Sequence, residues 1–162
     1  MRVIGLVLSL TLGLALAACD DSTRPYLSFA GGGFVFNYRI GQAYYGFVAK
    51  PGKALPAGAM IEARFEVPGS DKPFIAQLPA QTGMLHYAFK TPPLTGILRN
   101  HRYKVELRVI EAGTAKVLAS YANSYFTDVD QKTLPDKPLV LGPGYTPNPE
   151  VDLSKQPAGS GS

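Results

Sequence analysis

From Met60 to Val67 apolar and charged residues alternate, with Ile61, Ala63, Phe65 and Val67 on one parity and Glu62, Arg64 and Glu66 on the other. Tyr103, Val105, Leu107 and Val109 alternate in the same way with Lys104, Glu106 and Arg108. Successive side chains of an extended strand point to opposite faces, so a period of two gives each segment one buried and one wet face. Leu85, Tyr87 and Phe89, and likewise Phe34, Phe36, Tyr38 and Ile40, supply further core positions. Segments rich in aromatic and β-branched residues predict strands at about 33–40, 42–49, 59–67, 73–78, 84–90, 102–110 and 116–127. Between them lie turn-forming groups such as Lys50-Pro51-Gly52, Pro68-Gly69-Ser70-Asp71, Thr91-Pro92-Pro93 and Ala112-Gly113-Thr114.

Seven short strands punctuated every 8–12 residues predict an all-β fold, a seven-stranded antiparallel immunoglobulin-like β-sandwich over residues 33–130. In that arrangement the third and sixth strands are antiparallel neighbours. A register whose paired numbers sum to 170 sets Glu62 opposite Arg108, Arg64 opposite Glu106 and Glu66 opposite Lys104, each an opposite-charge pair. Tyr103, at the start of the sixth strand, resembles the tyrosine corner of such folds, whereas the paired cysteines and the tryptophan of antibody domains are missing. Gly31-Gly32-Gly33 reads as a flexible joint ahead of the first strand. Residues 131–162 hold six of the fourteen prolines and read as a Pro/Gly-rich tail, with Leu139-Val140-Leu141 as one further edge strand.

At the chain start, Met1-Arg2 and the apolar stretch from Val3 to Leu16 have the form of a secretory signal peptide. The stretch is shorter than the roughly 20 apolar residues a bilayer span needs. It ends in Leu16-Ala17-Ala18-Cys19, which resembles the lipobox of bacterial lipoproteins. The resemblance implies cleavage after residue 18, a diacylglyceryl group on the Cys19 sulfur and acylation of the new amino terminus, as in palmitate-bearing envelope proteins. Residues 1–18 are then a signal peptide and residues 19–32 a lipidated cysteine and linker. Asp20, directly after the cysteine, resembles the signal that retains lipoproteins in the inner membrane, so the periplasmic face of the inner membrane is favoured over the outer.

Charge and composition narrow the chemistry. Without Arg2 the mature chain has fifteen Lys and Arg against twelve Asp and Glu, too small an excess, and too scattered, for a nucleic-acid partner. One cysteine provides no internal disulfide. His86 and His101 have no second His or Cys at ligand spacing, and Asp128 with Asp130 offers calcium too few oxygens, so no metal or cofactor is expected. No nucleophile elbow, Ser-x-x-Lys or His-Glu-x-x-His is present, and no enzyme is expected. Nine Tyr and eight Phe without Trp leave Tyr44, Tyr121 and Tyr125 as candidates for a contact surface, since tyrosine joins apolar area to a hydroxyl. The expected function is a membrane-anchored, non-catalytic interaction or accessory module with an envelope protein as partner. The alternative is a glycan- or peptidoglycan-binding module using exposed tyrosines. The oligomeric state stays open.

Overall fold

The computed structural model describes residues 21–152; the leader, Cys19 and residues 153–162 lie outside the described residues. Seven strands make two antiparallel sheets. β1 (Leu27–Asn37), β2 (Gln42–Pro51) and β5 (Tyr87–Lys90) form one, in the order β1-β2-β5. β3 (Met60–Val67), β4 (Ser70–Pro79), β6 (Tyr103–Ile110) and β7 (Val117–Tyr125) form the other, in the order β4-β3-β6-β7. The expected all-β architecture is present, with the two alternating segments at the centre of the larger sheet. Ile61, Ala63, Phe65, Val105, Leu107 and Val109 are buried on its inner face against Ala43, Tyr45, Phe47 and Ala49 of the smaller sheet. Burial of these alternating positions supplies the cohesion of a sandwich, at about 25 cal/mol per Å² of apolar surface.

The core is dominated by rings. Tyr45 stacks on Phe34 at 4.8 Å and meets Phe65 edge-on at 5.3 Å, and Phe47 packs on Phe65 and Phe89 at 5.3 and 5.6 Å. A buried tyrosine needs a partner for its hydroxyl. Tyr45 Oη donates to Glu66 O at 2.6 Å, and Tyr103 Oη accepts the Leu98 N–H at 2.6 Å. The second bond ties the sixth strand back to the preceding loop, as a tyrosine corner does.

The register of β3 on β6 pairs Glu62 with Arg108 and Arg64 with Glu106, as the charge pattern predicts, and the ladder ends at Phe65 opposite Val105. Glu66 lies just past the last pair of this ladder. Its carboxylate takes the Lys104 backbone N–H at 2.9 Å and His101 Nε2 at 2.8 Å.

Elsewhere the structure corrects the sequence reading. The first strand begins at Leu27, not at 33, and the glycine run lies inside it, paired with Gly46 to Val48 of β2 across a bulge between Phe29 and Gly31. Gly32 is required there by close approach: a Cβ would stand 2.6 Å from Gly46 O, 2.7 Å from Phe47 Cβ and 2.6 Å from the Tyr125 ring. Gly33 has open space, so the three glycines differ in what they do. Leu85 is 73% exposed because β5 starts only at Tyr87, and Tyr38 is 46% exposed because the chain has already turned, through Gly41 at φ 63°.

Residues 131–152 are folded onto the sandwich and are not a loose tail. Leu134 is buried, and Gln131 accepts the Ile97 N–H at 2.7 Å and donates to Leu94 O at 2.7 Å. β8 (Val140–Leu141) pairs with β9 (Thr146–Pro147) as its own two-stranded ribbon, so Leu139-Val140-Leu141 does not extend either large sheet. Arg39 fastens this ribbon: its guanidinium lies 4.5 Å from the Tyr145 ring and donates to Gly144 O at 3.3 Å. The backbone also takes part, with Leu139 N–H donating to Arg39 O at 2.8 Å.

Gly32→Ala is expected to destabilise the domain by about 1–3 kcal/mol, the usual cost of overpacking. Gly33→Ala, where a methyl meets nothing, should stay within about 0.5 kcal/mol. Urea denaturation of both variants checks the contrast; equal losses would show that glycine acts here only through chain entropy.

Candidate functional site

The outer face of the larger sheet carries four charges in a closed ring. Arg64 lies 3.1 Å from Glu62 and 3.8 Å from Glu106, and Arg108 lies 2.8 Å from Glu106 and 3.8 Å from Glu62. The register forces this arrangement: positions 62 and 64 on β3 are opposite 108 and 106 on β6, and all four side chains emerge on the same face. The remaining carboxylate oxygens are also occupied. Gln77 of β4 donates to Glu62 at 2.8 Å and Ser120 of β7 donates to Glu106 at 2.7 Å. Hydrogen bonds from Arg108 and then Ser120 hold the Glu106 carboxyl below the usual carboxylate range. Each carboxylate oxygen of the ring is thus engaged by a donor of the sheet itself. The ring brackets a shallow depression of about 510 Å³ lined also by Met60, Ile110 and Val117.

The three tyrosines are not brought together. Tyr44 is half-buried on the outer face of the smaller sheet, with Lys90 Nζ 5.4 Å from its ring centre. Tyr121 is opposite Leu107 and Tyr125 opposite Tyr103, which turns both toward the core. Tyr121 Oη accepts the Tyr26 N–H at 2.9 Å, and Tyr125 stacks on Phe47 at 6.3 Å above Gly32. Burial pushes the Tyr125 phenol up from its ordinary value. These two rings close one side of the sandwich between β7 and β1 and form no exposed stripe.

The other single residues have structural employment. His101 holds Glu66 and packs edge-on to Tyr103 at 4.5 Å. Asp130 caps the 3-10 turn Gln131–Thr133 through the Lys132 N–H at 2.9 Å. His86 is exposed in the connection before β5. Among the described residues, no three His, Cys, Asp or Glu side chains are gathered to hold a metal ion, and no helix is long and apolar enough to cross a membrane.

Two exposed apolar sites, one at each end of the sandwich, were not marked by the sequence pattern. At the end where β6 begins, Leu98 and Phe126 are 63% and 54% exposed. Asn100 N–H to Thr127 O at 2.7 Å ties their loops together, and the Arg102 guanidinium lies 5.2 Å over the Phe126 ring. At the opposite end, where β1 begins, Leu85 stands clear of the surface beside Met84. Leu98 falls in a segment without periodicity and Phe126 just past the end of β7, inside the strand expected over 116–127, whereas Leu85 continues the parity of Tyr87 and Phe89 and so resembles core. Gly83, two residues earlier, is the available signal that the strand has not yet begun.

No protein-family model and no curated protein matches the chain. Among solved structures, the chain is similar to a calcium-binding mutant of Bacteroides uniformis beta-glucuronidase 2, with a TM-score of 0.40 and 14% identity. That likeness covers 63% of this chain and 13% of the other, and bears on neither the chemistry nor the partners of this protein.

The pH dependence follows from two depressed carboxyls. Burial raises the Glu66 carboxyl, but hydrogen bonds from the Lys104 backbone and His101 more than offset it, and Glu106 is lowered by Arg108 and Ser120. A carboxyl that is more acidic in the folded state contributes stability above its unfolded pKa of about 4.3, and that stability is lost as pH falls through the folded value. Stability measured by urea denaturation should therefore hold at neutral pH and decline below about pH 4.5. Glu106→Gln is expected to flatten this acid limb; an unchanged limb would show that the ring is not coupled to folding.

Proposed function

We propose that this chain is a lipid-anchored, non-catalytic β-sandwich of the bacterial cell envelope that serves as a protein-interaction or accessory module. One observation carries the reading: Leu16-Ala17-Ala18-Cys19 stands directly after an apolar stretch, and the first strand begins eight residues beyond the cysteine. Eight residues reach at most about 28 Å, so a domain tethered at Cys19 stays at its membrane. Two or more acyl chains give stable anchoring where one gives marginal binding. Asp20 favours the periplasmic face of the inner membrane over the outer membrane.

The strand order supports an immunoglobulin-like arrangement, with β1, β2 and β5 as strands A, B and E and with β3, β6 and β7 as C, F and G. The fourth strand joins the C-F-G sheet, which distinguishes it from the constant-type domain. Such sandwiches present loops at both ends, and the exposed Leu98, Arg102 and Phe126 suit a protein partner at the end away from the chain start. Glycan binding through a tyrosine stripe has less support, because Tyr121 and Tyr125 are used internally.

Cys19→Ala should abolish acyl mass on the mature chain and move the protein from the inner-membrane to the soluble periplasmic fraction. Intact-mass spectrometry and membrane fractionation from the native host check this. An unacylated, soluble wild type overturns the anchored reading.

A further inference from the structure

We propose that the end of the sandwich where β1 starts rests on the lipid bilayer, with Met84 and Leu85 entering the headgroup region as a second contact beside the N-terminal anchor. The proposal deepens the anchored reading and rests on it for the membrane's presence.

The chain leaves the fold at this end. Lys53 Nζ donates to Ser22 O at 2.9 Å and stands 4.4 Å from the Tyr26 ring centre, and Gly52 N–H donates to Tyr26 O at 3.0 Å. The described chain therefore begins at the base of β1, and Cys19 precedes it by two residues in the sequence. The 3-10 turn Asp21–Thr23 shortens the tether, since it rises only about 2 Å per residue. Whatever apolar group holds the N-terminus, this is the end it brings to the membrane.

The 80–86 loop at that end is built to present its tip. Tyr87 Oη accepts the Gln81 N–H at 2.9 Å and lies 3.2 Å from Gln81 O, which braces the base. Gly83 at φ 79° and the Met84 N–H to Gln81 O bond at 3.3 Å close the turn. Met84 and Leu85 are left 41% and 73% exposed, two adjacent apolar side chains at one loop tip. Residues 80–86 contain no charge, and residues 52–59 beside them contain only Lys53. Lys53 and Met84 line one depression of about 260 Å³, which places the loop tip next to the start of the chain. Exposed Lys50 and Lys116 at the same end suit anionic headgroups. A protein partner is the competing occupant for any exposed apolar loop, but continuity with the membrane-directed N-terminus favours lipid here.

The chain has no tryptophan, so a single substituted indole reports its own surroundings. Full-length Leu85→Trp and Leu98→Trp variants, purified from host membranes, would be reconstituted on phosphatidylethanolamine–phosphatidylglycerol vesicles with and without brominated acyl chains. Both positions are exposed, and circular dichroism confirms the fold of each variant. The expected result is about twofold or greater quenching of the indole at position 85 by brominated lipid, with a blue-shifted emission, and no quenching at position 98. Unquenched fluorescence at position 85 in protein that co-sediments with vesicles overturns the docking and leaves the anchor standing. Quenching at position 98 overturns the orientation. Protein left in the supernatant overturns both the docking and the anchored reading.

Discussion

Tyr45 holds the two halves of this molecule to one another. Its ring, on the central strand of the smaller sheet, lies against Phe65 and Tyr103 of the larger one, and its hydroxyl donates to Glu66 O across the gap. That bond occupies the backbone carbonyl of a residue whose carboxylate gathers His101 and the Lys104 N–H. His101 in turn packs on Tyr103, whose hydroxyl accepts from Leu98. One buried phenol is thus connected, through bonds of 2.6–2.9 Å, to the entry of β6 and to the loop that exposes Leu98. A buried hydroxyl or carbonyl without a partner costs about 1–3 kcal/mol, so each member of the chain constrains the next.

The parts of the fold legible in sequence were those where independent local signals agreed. In Met60 to Val67 and Tyr103 to Val109, alternation and charge both point to a single register, and the structure has it for Glu62–Arg108 and Arg64–Glu106. The exception, Glu66, lies where the ladder stops and backbone donors are free to compete with the Lys104 ammonium. Glycine misled for the opposite reason. Its composition signals flexibility, yet Gly32 is present because β1 passes under Tyr125 and over Gly46, a tertiary fact that no local pattern contains. Proline misled in the same way in residues 131–152, which join neither large sheet but are pinned by Gln131, Arg39 and Asn148.

The functional residues divide along the same line. The charged ladder that the sequence reads as self-paired is closed further by Gln77 and Ser120, so its polarity contributes to the surface of the sheet and leaves little for a ligand. Tyr121 and Tyr125 show that aromatic parity alone does not choose a face: pairing with Leu107 and Tyr103 chooses it. The exposed apolar positions were hidden because exposure is a property of loops, and loop direction follows from turn geometry such as Gly83 at φ 79°.

The two ends of the sandwich are chemically unlike, and antiparallel topology makes them so. Every connection at the first end, 52–59, 80–86 and 111–116, is short, and together they carry only Lys53, Glu111 and Lys116 as charges. The far end receives the long connection 91–102 and the folded segment after β7, with Arg99, Arg102, Asp128, Asp130, Lys132, Asp136 and Lys137 among them. If Cys19 is the anchor proposed above, the base of the first strand is the part of the fold nearest to it in the chain. Under the anchored orientation proposed above, the charged far end, with Leu98 and Phe126 under the Arg102 guanidinium, is the end that points away from the membrane. Under that proposal, fold direction and the distribution of charge favour the same orientation, although they arise from separate stretches of sequence.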